Sequence, residues 1–247
     1  HKCKGRIIID AAATLKLLTF AQNCIKLGKD KLRRFAELEH LERVFQPKGL
    51  FLDKEHELKG NWNRMVFHND HPIVLELGCG RGEYTIGLCR KFPENNFVGI
   101  DIKGARIWRG AKTSNEEKLL NAAFLRTQIE QIEAFFAPGE VNEIWITFPD
   151  PQPQKTRQNR RLTSPRFLAM YRKLLKPGGI VHLKTDNVFF YEYTLLRIAE
   201  DHVKIHRQST NVHGEFPDDE LMAIQTTYET KFRAEGIDIC YVSFSFQ

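Results

Sequence analysis

From residue 73 onward, short apolar runs alternate with longer stretches of mixed character. Ile73-Val74-Leu75-Glu76-Leu77 ends in Gly78 and has the length and β-branched content of a buried strand. The next stretch, Glu83 to Lys91, reads as a helix, and Asn96 to Ile100 as a second strand closed by Asp101. Lys103 to Leu120 fits a helix and Ala122 to Arg126 a third strand. Glu143 to Phe148 is a fourth strand, stopped by Pro149 and Pro151. Pro165 to Leu175 is a helix with a strong stop at Lys176-Pro177-Gly178-Gly179. Gly179 to Thr185 is a fifth strand, Val188 to Asp201 a helix, and Ile237 to Phe246 supplies closing strand. This rhythm builds βαβ units, and hence a mostly parallel α/β sheet covered on both faces.

Upstream the pattern is less regular. Gly28 to Phe45 reads as a basic amphipathic helix, with Lys29, Lys31, Arg33 and Arg34 preceding Phe35, Leu38 and Leu41. Residues 46–70 are turn-rich. Residues 1–27 form an expected N-terminal extension, or a truncated start, because the chain begins at His1 and Asp10 and Lys16 break any signal-peptide core. Residues 28–247 then form one domain. No apolar run reaches the length that a membrane-spanning helix needs.

Composition adds two constraints. A net charge of +6 favours an acidic partner. The five cysteines show no CxxC pair and no metal-ligand spacing, and neither do the nine histidines; reduced thiols in the cytoplasm and no metal are expected.

The junction of the first strand and first helix carries Glu76-Leu77-Gly78-Cys79-Gly80-Arg81-Gly82. Glycines there permit the tight turn and a close approach of backbone to ligand. A dinucleotide-binding loop is the competing reading, but its G-x-G-x-x-G pattern needs glycine where this chain has Glu83. A pyrophosphate also favours a helix N-terminus free of negative charge, whereas Glu76 and Glu83 flank this one. Those acids, with Asp101 at the next strand end to accept from a ribose, suit a cationic or zwitterionic nucleoside. The pattern resembles motif I of the class I S-adenosylmethionine-dependent methyltransferases.

Asp150 follows the fourth strand, held between Pro149 and Pro151, where open α/β sheets bind their ligands. An exposed turn acid is the bland alternative. Behind it run Lys155, Arg157, Arg160, Arg161, Arg166, Arg172, Lys173 and Lys176, with no acidic residue between Pro151 and Lys176. A one-sign run joined to such a loop reads as a phosphate-backbone contact.

Four motifs in order resemble the bacterial tRNA (guanine-N7)-methyltransferase family: the glycine loop, Phe148-Pro149-Asp150-Pro151 through Thr163, Lys184-Thr185-Asp186, and Thr226-Thr227-Tyr228-Glu229-Thr230-Lys231-Phe232. The likeness runs from about Gly28 to the C-terminus. It implies a Rossmann-like fold with a seven-stranded sheet, S-adenosylmethionine as cofactor and tRNA as partner. It further implies methylation of guanine N7 in the variable loop, at tRNA position 46. By the same resemblance Glu76, Gly78, Gly80, Gly82, Asp101, Gln128 and Asp150 bind the cofactor, and Asp150 is catalytic. Gln154, Lys155, Asp186, Thr226, Thr227, Tyr228 and Glu229 bind substrate, with Asp186 and Glu229 accepting from the guanine N1 and N2 donors. The chain departs from the family's Asp-Pro-Trp-Pro-Lys-Lys at Gln152 and Gln154, so the missing lysine charge falls to Lys155. Trp62, Trp108, Trp145 and His182 read as core, and Tyr191 and Tyr193 as possible mouth residues. A catalytically silent RNA-binding module with the same fold is the alternative function. The sequence leaves the oligomeric state, monomer or homodimer, open.

Overall fold

A computed structural model describes residues 30–47 and 55–247. The proposed extension over 1–27 and the first two residues of the basic segment lie outside the described residues. Helix α1 covers 30–38, followed by turns and by strand β1, Val44–Phe45. The helix expected as far as Phe45 is therefore shorter. Arg43 turns left-handed at φ 56°, and its carbonyl accepts from Phe124 N at 2.9 Å, which draws the next two residues onto the sheet edge.

The elements foreseen from residue 73 follow: β2 Ile73–Leu77, α2 Glu83–Lys91, β3 Asn96–Asp101, α3 Gly104–Glu116, β4 Ala122–Arg126 and β5 Val141–Thr147. Then come α4 Pro165–Leu174, β6 Leu175–Thr185, α5 Val188–Ala199, β7 Val203–Ser209, the single turn α6 Val212–Glu215, α7 Thr227–Ala234 and β8 Cys240–Phe246. The sheet order is β1-β4-β3-β2-β5-β6-β8-β7, with β8 antiparallel to both its neighbours. Seven strands make the expected sheet, and the two-residue β1 adds an eighth at its edge.

Alternation along β2 sends Ile73, Leu75 and Leu77 into one apolar layer with Ile146, Phe136 and Tyr171, and Val74 into the other with Tyr84, Trp145 and Tyr241. Trp62 and Trp145 are fully buried, and Trp108 nearly so. The chain leaves β2 toward β3 on one side, while β5 pairs with its other side. That reversal opens a crevice beyond the strand ends. Register then aligns the chemistry: Leu77 pairs with Ile100 and Ile146, and Thr147 with Lys184. The glycine loop, Asp101, the Asp150 loop and Asp186 consequently emerge side by side.

Candidate active site

The loop after β2 turns at Gly78, Gly80 and Gly82, with φ of 77°, 55° and 70°. A side chain at Gly78 would meet nothing within 4 Å, so the strained backbone there fronts open space. Gly82 is different: a Cβ would strike Phe124 at 2.7 Å and Gly110 Cα at 3.1 Å. It lets the start of α2 lie against α3. Asp101 fixes the loop from the side, accepting from Gly80 N at 3.0 Å and Lys103 N at 2.7 Å. A carboxylate has about four lone-pair sites, so two donors leave room for hydroxyls of a ligand.

Glu76 is buried below the loop. Its carboxylate accepts from Thr85 N at 2.8 Å, from Thr85 Oγ1, and from Thr147 Oγ1 at 2.7 Å. Burial outweighs those donors and pushes its pKa up to about 7.

The Asp150 loop is held in an unusual shape. Phe148 and Gln152 take φ of 47° and 44°, each an uncommon conformation for a side-chain-bearing residue. Gln152 N donates to Asp150 Oδ1 at 3.0 Å. Arg161, assigned from sequence to the phosphate-binding run, is instead buried. Its Nε donates to the Gln152 carbonyl at 3.2 Å, and its guanidinium lies 4.8 Å from the Phe189 ring centre and 4.4 Å from that of Tyr193. Tyr193 thus supports the loop clamp, and Tyr191 is buried; neither lines the mouth.

A cavity of about 460 Å³ gathers Glu76, Gly78, Gly80, Asp150, Asp186, Thr226 and Tyr228. Partial burial raises the Asp186 pKa. Tyr228 is 54% exposed. Other expected site residues lie off this wall. Gly82 and Thr227 border a neighbouring cavity, and Gln128 immediately precedes a short helix, Ile129–Ala134, beyond β4. Gln154 and Lys155 begin an exposed helical turn, Lys155–Arg160.

Glu229, expected from sequence to accept from the guanine, lies off this wall. It is fully buried, with Oε1 accepting from Lys184 Nζ at 2.8 Å and lying 2.7 Å from His213 Nε2. The Thr-x-x-Glu spacing reads locally as a helix N-terminus, and Thr226 Oγ1 does accept from Glu229 N at 3.2 Å. Sequence reasoning also passed over three cations on the cavity wall, Arg81, Lys103 and Arg106. Two of them flank the very glycine and Asp101 turns that signalled the site.

The donor and acceptor set fits S-adenosylmethionine: an open glycine turn, a buried acid below it and a strand-end aspartate with spare lone pairs. Comparisons with known proteins agree. The family described as "Putative methyltransferase" matches residues 70–242. A tRNA (guanine-N(7)-)-methyltransferase of Christiangramia forsetii is 53% identical over 219 residues, covering 88% of this chain and 98% of that protein. Its counterpart in Porphyromonas gingivalis is 50% identical over 211 residues, covering 84% and 86%. Among solved structures, the 16S rRNA methyltransferase KamB shares the fold with a TM-score of 0.60 at 16% identity, over 84% of this chain and all of that one.

Proposed function

The chain belongs to the tRNA (guanine-N7)-methyltransferase family, and from that premise we propose that it methylates N7 of a guanine in tRNA, in the cytoplasm, at position 46 of the variable loop. The observation that carries the reading is the convergence of Glu76, Asp150, Asp186 and Tyr228 on one cavity beside the glycine turn. A silent RNA-binding module would have no need of that open turn and buried acid.

S-adenosylmethionine, when bound, supplies an electrophilic methyl group on a sulfonium; Glu76, Gly78, Gly80 and Asp101 are the residues to hold it. Guanine N7 carries a lone pair and no proton, so the protein needs no general base. Its first task is orientation, which can supply several kcal/mol. Its second is electrostatic, because positive charge develops on the guanine imidazole ring as N7 gains the methyl. Asp150 answers that charge from a loop already fixed by Arg161, so little reorganisation is required. Asp186 accepts from the guanine N1 and N2 donors, which adenine lacks. With Glu229 turned inward, the rest of that wall belongs to Thr226 and Tyr228.

The test is transfer of labelled methyl from S-adenosylmethionine to unmodified tRNA, followed by nucleoside and position analysis. Label is expected in 7-methylguanosine, and Asp150→Ala should lower kcat roughly 100-fold or more, the usual size of one lost electrostatic contact. Label in another nucleoside, or an Asp150→Ala protein with full turnover, defeats the reading.

A further inference from the structure

A second cavity, of about 380 Å³, lies beside the first and shares Arg81, Glu83 and Thr226 with it. The glycines build it. A Cβ at Gly110 would come within 2.8 Å of the Arg81 carbonyl and 3.0 Å of Gly82 Cα, so only this pair lets α2 and α3 approach closely enough to set Arg81 and Arg109 on one rim. Glu83 lines this cavity and keeps its negative charge, directed to the amide and hydroxyl of Thr227 at 2.6 Å and 2.5 Å and paired with neither arginine. Glu117 takes Arg90 Nε at 2.8 Å. Arg81 and Arg109 have no acidic partner among the described residues, and both are exposed. Thr113 and Gln225 add neutral donors to the lining.

Unneutralised guanidinium groups beside hydroxyl and amide donors form the set that contacts nucleic-acid phosphate. We propose that this second cavity binds a backbone phosphate of the RNA substrate, held by Arg81 and Arg109 with Thr113, next to the nucleotide that enters the main cavity. The proposal rests on the tRNA-methylating reading and deepens it. A phosphate gripped here, on the side of the cofactor cleft formed by α2 and α3, gives the RNA a second point of attachment away from the Asp150 loop. Two attachments fix the orientation of the nucleotide between them; one leaves it free to swing.

The test is tRNA binding across a salt series for the wild-type protein, Arg109→Gln and Arg172→Gln, with methyl-transfer kinetics on each. Arg172 already pairs with Asp201 at 2.6 Å, so its variant controls for simple loss of charge. Arg109→Gln should lower the slope of log affinity against log salt by about 0.7–0.9, the value of one phosphate contact. It should also raise KM for tRNA, while leaving affinity for S-adenosylmethionine unchanged. Arg172→Gln should keep the wild-type slope. A wild-type slope and KM for Arg109→Gln overturn the proposal. A reduced slope in a protein whose wild type makes no 7-methylguanosine instead retires the functional reading and leaves the phosphate site standing.

Discussion

Glu76 shows how burial, with a smaller push from the charge of Asp101, can make one side chain pH-sensitive. Its pKa of about 7 stands above the 4.5 of an ordinary glutamic acid. Between those values the native protein holds a proton that the unfolded chain has released, so this group's contribution to stability is complete below pH 4.5 and fades as pH rises to 7. Relative to Glu76→Gln, the wild-type protein should lose on the order of 3 kcal/mol across that window, at 1.36 kcal/mol per pKa unit. Urea melts of both proteins at the two ends check this; parallel pH dependences would refute it. A cation in the cavity favours the carboxylate, so affinity for S-adenosylmethionine should rise over the same range in the wild type only. Arg161 makes a second residue-level case. Charge and position placed it among phosphate contacts, but a buried guanidinium bonded to the Gln152 carbonyl cannot also reach RNA. Arg161→Lys loses the planar fork that spans two carbonyls and two rings. It should lower kcat by about tenfold, the effect of 1.4 kcal/mol on a barrier, and leave the salt slope of tRNA binding untouched. A slope reduced by a full contact would return Arg161 to the RNA interface.

Among elements, α7 depends on an ion pair that sequence could not reveal. Lys184 Nζ, with no exposed surface, also donates to the Ile224 carbonyl at 3.1 Å, so it ties β6 both to α7 and to the segment leading into it. Removing one partner strands the other charge in the interior. Glu229→Gln is therefore expected to cost about 3–5 kcal/mol, whereas Lys184→Met with Glu229→Leu should recover much of that loss. A urea double-mutant cycle measures it, and a single substitution costing under about 1 kcal/mol would show the pair to be solvated. The limits of sequence reading follow the same physics. Strands buried on both faces, such as β2 and β4, announced themselves as apolar runs and fell where expected. Strand β7 went unseen because it lies at the sheet edge, and Lys204, Ile205 and His206 are all exposed, erasing the alternation. The site behaved likewise. Backbone-determined features, the glycine turn and the proline-bounded Asp150, were legible. Whether Glu229 or Arg161 faced the cleft depended on partners 45 and 9 residues away in sequence, Lys184 and Gln152.

For the whole molecule, the question is which positive charges are free to meet RNA. The run after Asp150 divides by partner. Arg166 lies 3.4 Å from Glu130, Lys173 3.2 Å from Glu133, and Arg172 pairs with Asp201. Lys155, Arg157 and Arg160 share one exposed helical turn, and none has an acidic partner among the described residues. Exposed pairs are weak, but each holds a carboxylate close to its cation and dilutes the field that a phosphate would meet. An uninterrupted basic stretch in the sequence thus becomes two populations in space: one paired with acids on the surface, one projecting beside the Asp150 loop. Replacing Lys155, Arg157 and Arg160 together by glutamine should reduce the salt slope of tRNA binding by about 2–3, since each lost contact removes 0.7–0.9. The matching triple replacement of Arg166, Arg172 and Lys173 removes the same formal charge and should leave the slope near wild type. Equal reductions from the two triples would mean that net charge, and not this division, governs how the protein holds its RNA.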